Sequence, residues 1–80
     1  MTHEDVMNRL KEMMVQLRPE TQISFISEET HLVDELGMDS LTLLIMALQA
    51  EKTFGIRFEN MHASAFQTVG DVCAYIEGKL

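Results

Sequence analysis

Cysteine occurs once in these 80 residues, at position 73. A lone cysteine excludes an internal disulfide framework and suits a reducing compartment. Basic residues are scarce too: six Lys and Arg stand against thirteen Asp and Glu, a formal charge of −7. That balance argues against nucleic acid, whose binding calls for a basic patch. It suits basic patches on partner proteins, where it steers encounter more than it adds affinity. No apolar run approaches the roughly 20 residues that a membrane span needs, and the opening MTHEDVMNRL is polar and acidic, unlike a signal peptide. The cytoplasm is the expected location. A chain this short buries only about 60% of its unfolded surface. There is room for one modest core, a single domain over residues 1–80, and little room for a deep catalytic cleft. Without repeats, low-complexity tracts or linkers, a free-standing protein is expected.

Glycine and proline are sparse, and where they stand they punctuate the chain. Thr2 can cap a first helix, with Asp5 three residues later in a capping-box-like arrangement. Val6, Leu10, Met13, Met14 and Leu17 then follow helical spacing, and Pro19 ends the run. Between Asp39, a preferred N-cap residue, and Gly55, a C-terminal stop, there is neither glycine nor proline. That predicts a helix of about four turns with Ser40 in its first. Thr68 caps a last helix with Asp71 near its start, and Val69, Val72, Cys73, Ile76 and Leu80 recur at core-face spacing. The long connection before Asp39 has no sustained period. Ile23, Phe25, Ile26, Leu32 and Leu36 are expected to pin it to the core, since a structureless loop of about 20 residues is suspect in a compact domain. Residues 59–66 contain no breaker, and one or two helical turns are expected there. With no alternating strand pattern, the expected fold is all-α: a small antiparallel four-helix bundle with one short helix.

The middle helix carries more apolar residues than one stripe requires. Leu43, Met46, Ala47, Ala50 and Phe54 form one face, while Leu41, Leu44, Ile45 and Leu48 repeat the spacing on another, near Ser40. A surface helix needs a single stripe. The second is either partly buried against the loop or a docking surface, and so short a chain favours docking. At the start of this helix the orphan N–H groups and the macrodipole favour a negative group. The Ser40 hydroxyl therefore sits at an end prepared for an anion such as a phosphate.

The run Leu36-Gly37-Met38-Asp39-Ser40-Leu41 resembles the LGxDSL attachment motif of acyl carrier proteins. Phe54 and Ile56 are similar to that family's F-x-I/V at the end of its second helix. Thr68-Val69-Gly70-Asp71-Val72 is similar to the T-V-x-D-hydrophobic start of its last helix, so the likeness extends over nearly the whole chain. The resemblance implies that Ser40 accepts a 4′-phosphopantetheine arm from coenzyme A, with Asp39 as the acidic residue beside it. It implies that acyl groups ride as thioesters on the arm's thiol and that the protein itself is a carrier without catalytic residues. The implied partners are a phosphopantetheinyl transferase and the acyl-transfer, ketosynthase or ligase enzymes of fatty-acid, polyketide or specialised lipid biosynthesis, met by a monomer. Met38, Leu41, Leu44, Ile45, Leu48 and Glu51 are the expected partner contacts.

One departure from the family pattern bears on partners. Fatty-acid carriers of this family usually have acidic residues along helix two, including one five positions past the serine. Here that position is Ile45 and the position two past the serine is Thr42; Glu51 remains, followed by Lys52. A more apolar face predicts a dedicated partner in a specialised pathway. Two other readings stay open: a peptidyl, aryl or D-alanyl carrier, and an unmodified helical adaptor. His3, His31 and His62 are scattered and Cys73 lies on a core face, so no metal site is expected. The acidic Asp34-Glu35 stretch lacks the calcium-loop pattern, and a catalytic Ser40 would need a fixed imidazole within reach.

Overall fold

The computed structural model describes residues 1–59 and 66–80. Its elements are α1 (His3–Leu17), α2 (Ser40–Phe54) and α3 (Val69–Lys79), with a 3-10 turn at Ile23–Phe25 in the long connection. No strand occurs among the described residues; the one extended pairing is an isolated antiparallel bridge between His31 and Thr68. This is the expected all-α arrangement. The short helix expected over residues 59–66 falls almost entirely on residues 60–65, outside the described residues.

Each helix starts where its capping chemistry dictates. Thr2 Oγ1 accepts from the Asp5 N–H at 3.1 Å and the Asp5 carboxylate accepts from the Thr2 N–H at 3.2 Å, a reciprocal capping box. Thr68 and Asp71 form the same box at the head of α3, with both bonds at 3.1 Å. Helix α1 stops at Leu17 because the next position but one is Pro19, which has no N–H and disfavours helical backbone at Arg18. Helix α2 stops at Gly55, whose φ of 67° lies in the left-handed region that glycine enters without steric cost.

Helix α1 lies against both other helices and antiparallel to α2. Arg18 at its end reaches the turn before α2, while Arg9, Glu12, Met13 and Gln16 face Gln49, Lys52 and Thr53 across a groove. The core is built from Val6, Leu10 and Met14 of α1, Met46 and Ala50 of α2, and Val72, Cys73 and Ile76 of α3, all fully buried. Of the loop residues expected to anchor the connection, Ile26, Leu32 and Leu36 are buried. Ile23 and Phe25 are not. They sit on the 3-10 turn, none of whose residues is buried, and Phe25 is 75% exposed. Leu80 is likewise exposed, because α3 ends at Lys79 and its last residue projects past the core.

The connection is stitched onto the head of α3. The N–H groups of Val69 and Gly70 donate to the carbonyls of Thr30 and Glu28 at 3.0 and 2.9 Å, and the Leu32 N–H donates to the Gln67 carbonyl at 2.9 Å. The first two occupy orphan donors of that helix end, and the third ties the connection to the residue before its cap. After α2, Phe58 stacks on Tyr75 at 4.9 Å between ring centroids, and Phe66 meets both rings edge-on. The Tyr75 hydroxyl accepts from the Glu59 N–H at 3.0 Å. The aromatic trio thus ties the chain on both sides of residues 60–65 to α3.

Two helical glycines give opposite expectations. A Cβ on Gly70 would lie 2.9 Å from the Glu28 carbonyl oxygen, a backbone atom fixed by the stitch, whereas a Cβ on Gly78 meets nothing within 4 Å. Gly70→Ala should therefore lose about 1–3 kcal/mol despite alanine's better helix propensity. Gly78→Ala should gain about 0.5 kcal/mol, the low end because it lies in the last turn. Urea midpoints at unchanged slope measure both, and two shifts of the same sign would contradict the packing described.

Candidate functional site

Ser40 is positioned by the turn that precedes it. Gly37, at φ 67°, lets the chain fold back so that its N–H donates to the Val33 carbonyl at 3.0 Å and the Met38 N–H donates to the Leu32 carbonyl at 3.0 Å. The Arg18 guanidinium donates to the Gly37 carbonyl, fastening the end of α1 to this turn. Met38 then drops into the core, 2% exposed, and anchors the segment from beneath. The expected partner contact at Met38 is thereby corrected: its side chain offers no surface. It acts as the peg that holds the next two residues outward.

Asp39 is the N-cap. Its Oδ1 accepts from both the Thr42 N–H and the Thr42 hydroxyl, each at 2.8 Å. The backbone bond from Thr42, then the hydroxyl bond, hold the Asp39 carboxyl below the usual carboxylate range, with Arg18 adding to the effect. Ser40 follows as the first helical residue and is exposed. Among the described residues nothing bonds the Ser40 hydroxyl or the N–H groups of Ser40 and Leu41. At α3 the loop carbonyls occupy the first donors, whereas at α2, among the described residues, they remain open beside a serine. Such an end can hold a phosphate diester on that hydroxyl, with dipole and free N–H groups facing its charge.

From Ser40 the second stripe of α2 runs away over the surface. Leu41 is 64% exposed, Leu44 52%, Ile45 38% and Leu48 56%. The choice left open by periodicity thus resolves toward surface: these side chains are not covered by the loop. Glu51 is only partly available, because its carboxylate accepts from the Phe58 N–H at 2.8 Å and so secures the segment after α2. Val33, exposed on the turn bonded to Gly37, adds an apolar side chain that periodicity did not single out. Arg18 was also missed, since a bond across 19 residues leaves no local signal.

A second cluster brings one of the three dispersed histidines, His3, to Cys73. Cys73 Sγ lies 3.2 Å from Glu77 Oε1 and 3.7 Å from His3 Nδ1, while His3 Nδ1 itself contacts Glu77 and His3 Nε2 lies 3.2 Å from Glu28. His62 lies outside the described residues.

With this geometry in view, residues 8–76 match the protein family described as "Phosphopantetheine attachment site". The chain is 40% identical over 57 residues to an acyl carrier protein of Thermotoga maritima, covering 71% of this chain and 70% of that protein. It is 45% identical over 58 residues to an acyl carrier protein of Exiguobacterium sp., covering 72% and 73%. It is 32% identical over 76 residues to a meromycolate extension acyl carrier protein of Mycolicibacterium smegmatis, covering 95% and 76%.

The Asp39 cap has a testable pH signature. Its carboxyl is depressed in the fold, so its stabilisation is complete above its ordinary value of 3.8 and is lost as pH falls through the lower folded value. Asp39→Asn keeps a cap but cannot take up that proton. The stability gap between wild type and Asp39→Asn, read from thermal melts, should shrink as the pH is taken from neutral down through that range. A constant gap would contradict the bonding described.

Proposed function

Because the chain belongs to the phosphopantetheine attachment family, we propose that Ser40 is the residue that takes the arm. It is an acyl carrier protein: it carries acyl intermediates linked through phosphopantetheine and leaves the chemistry to the enzymes it meets. What carries the assignment of Ser40 is its position as the exposed first residue of α2, beside N–H groups without protein partners among the described residues. In the loading reaction the serine oxygen forms a bond to the pantetheine-side phosphorus of coenzyme A's pyrophosphate, the P–O bond to the adenosine-side phosphate breaks so that adenosine 3′,5′-bisphosphate leaves, and the hydroxyl proton passes to the transferase. The product keeps one negative charge at a helix end that favours it. Asp39 holds the helix start and faces the transferase as an ionised carboxylate.

The outer face of α2 serves as the docking surface, with Leu41, Leu44, Ile45 and Leu48 as apolar contacts. A face of this size suits brief encounters, and the net charge of −7 speeds them toward basic partners. The partners are the phosphopantetheinyl transferase and acyl-transfer, ketosynthase or ligase enzymes, met in the cytoplasm by a monomer. No helix among the described residues is long and apolar enough to cross a membrane. Ile45, where an acidic residue is usual, favours a dedicated enzyme of a specialised lipid or polyketide pathway; the Mycolicibacterium smegmatis relative, named for meromycolate extension, agrees with that direction.

Intact mass before and after incubation with coenzyme A, magnesium and a broad-specificity phosphopantetheinyl transferase tests the attachment. One phosphopantetheine increment is expected on the wild type and none on Ser40→Ala. A folded wild type that gains nothing would instead be an unmodified adaptor. For the docking face, Ile45→Glu should lower kcat/KM with the cognate enzyme by about fivefold or more, the effect of losing one interface contact worth ~1 kcal/mol. Unaltered turnover would remove the dedicated-partner reading.

A further inference from the structure

The His3, Cys73 and Glu77 cluster lies at the pole of the molecule away from Ser40. Arg18, just past the far end of α1 from His3, touches the turn before Ser40. Fifteen helical residues separate the two by about 22 Å. The carrier role uses none of these three side chains.

Their arrangement is that of a donor set. One ligand atom from each falls within 4.8 Å of the others. A tetrahedral zinc ion bound at ordinary lengths separates a sulfur from a nitrogen or oxygen donor by about 3.5 Å. The observed separations from Cys73 Sγ are 3.2 Å to Glu77 and 3.7 Å to His3. The contact between His3 Nδ1 and Glu77 has to open, and both of those side chains reach solvent, while the buried Cys73 Sγ forms the floor of the site and gives up its bond to Glu77.

The surroundings supply what such a site needs. His3 Nε2 lies 3.2 Å from the Glu28 carboxylate. An N–H donated there fixes the ring and leaves the Nδ1 lone pair turned toward Cys73 and Glu77, the pattern by which an outer carboxylate orients a metal-binding histidine. Glu28 is itself held, because its carbonyl accepts from the Gly70 N–H at 2.9 Å. In that tautomer Nδ1 and the Glu77 oxygen are two acceptors in contact, an arrangement that calls for a positive charge between them. A proton can supply it, and so can a divalent cation.

The geometry points to a site for a borderline divalent cation, zinc or cobalt(II), ligated by His3 Nδ1, Cys73 Sγ and Glu77 with a water in the fourth position. Binding requires the Cys73 thiolate. Burial, with Glu77 beside it, pushes the free thiol up to about 12, so the incoming cation must displace the thiol proton to solvent. The metal would clip the start of α1 to α3 and leave Ser40 untouched.

Cobalt(II) titration of the full chain carrying Ser40→Ala tests this, since Cys73 is then the only thiol. Expected are a thiolate-to-cobalt charge-transfer band saturating at one cobalt per chain, displacement by zinc, and a melting temperature that rises with zinc. Cys73→Ala should abolish the band. His3→Gln, at an exposed position that leaves the core intact, should weaken binding at least tenfold, as should Glu28→Gln through the orienting bond. Glu4→Gln should change nothing. A folded chain without the band would mean that a proton alone bridges His3 and Glu77, and would overturn the site. So would a band indifferent to His3→Gln, or one saturating at one metal per two chains.

Discussion

The bond from Thr42 to the Asp39 carboxylate decides how this molecule can work. It fixes the residue at which α2 begins, and so makes Ser40 the first helical residue, with its hydroxyl at the positive end of the helix. The rest of the structure holds that start in place. Met38 pegs the preceding turn into the core, Gly37 supplies the left-handed backbone it needs, and Arg18 binds the same turn to the end of α1. A serine one residue earlier would be a cap with its oxygen spent on a backbone N–H. One turn later it would be an ordinary helical side chain far from the free donors.

The helix starts among the described residues are used differently, and the difference gives the fold its polarity. At α3 the loop carbonyls of Thr30 and Glu28 absorb the first donors, so that end is structural. At α1 the capping box closes onto itself, and the histidine beside it turns toward α3 and the loop. At α2 the cap is made and, among the described residues, the first two donors stay open, as they do at α1, but here the first helical residue is a serine. One pole therefore presents an exposed serine hydroxyl at a helix start and an apolar helix face, while the opposite pole gathers a histidine, a thiol and two carboxylates that fasten the chain ends together.

Most of this was legible in the sequence wherever the signal was local. Caps, stops and periodic faces depend on residues within one helical turn of each other, so Thr2, Asp39, Gly55 and Thr68 marked helix ends that the structure reproduces. The run Asp39-Ser40 put Ser40 at the head of a helix, where the structure has it, because a cap is also local. Legibility failed where burial depended on a short irregular turn or on contacts across the chain. Phe25 looked like an anchor by its chemistry yet lies outside, since all three residues of the 3-10 turn face solvent and Ile26, just after it, makes the core contact. Met38 looked like a contact because it neighbours Ser40, but the turn rotates it into the core. The meeting of His3 with Cys73 joins positions 70 apart, and no spacing rule reaches that far.

One measurement addresses the helix end and the helix face together: backbone amide NMR of the chain titrated with a phosphopantetheinyl transferase. The account predicts shifts and broadening centred on Ser40, Leu41, Leu44, Ile45 and Leu48, with the amides around His3 and Glu77 unaffected. Perturbations centred on α1 and α3, with the exposed face of α2 silent, would contradict it.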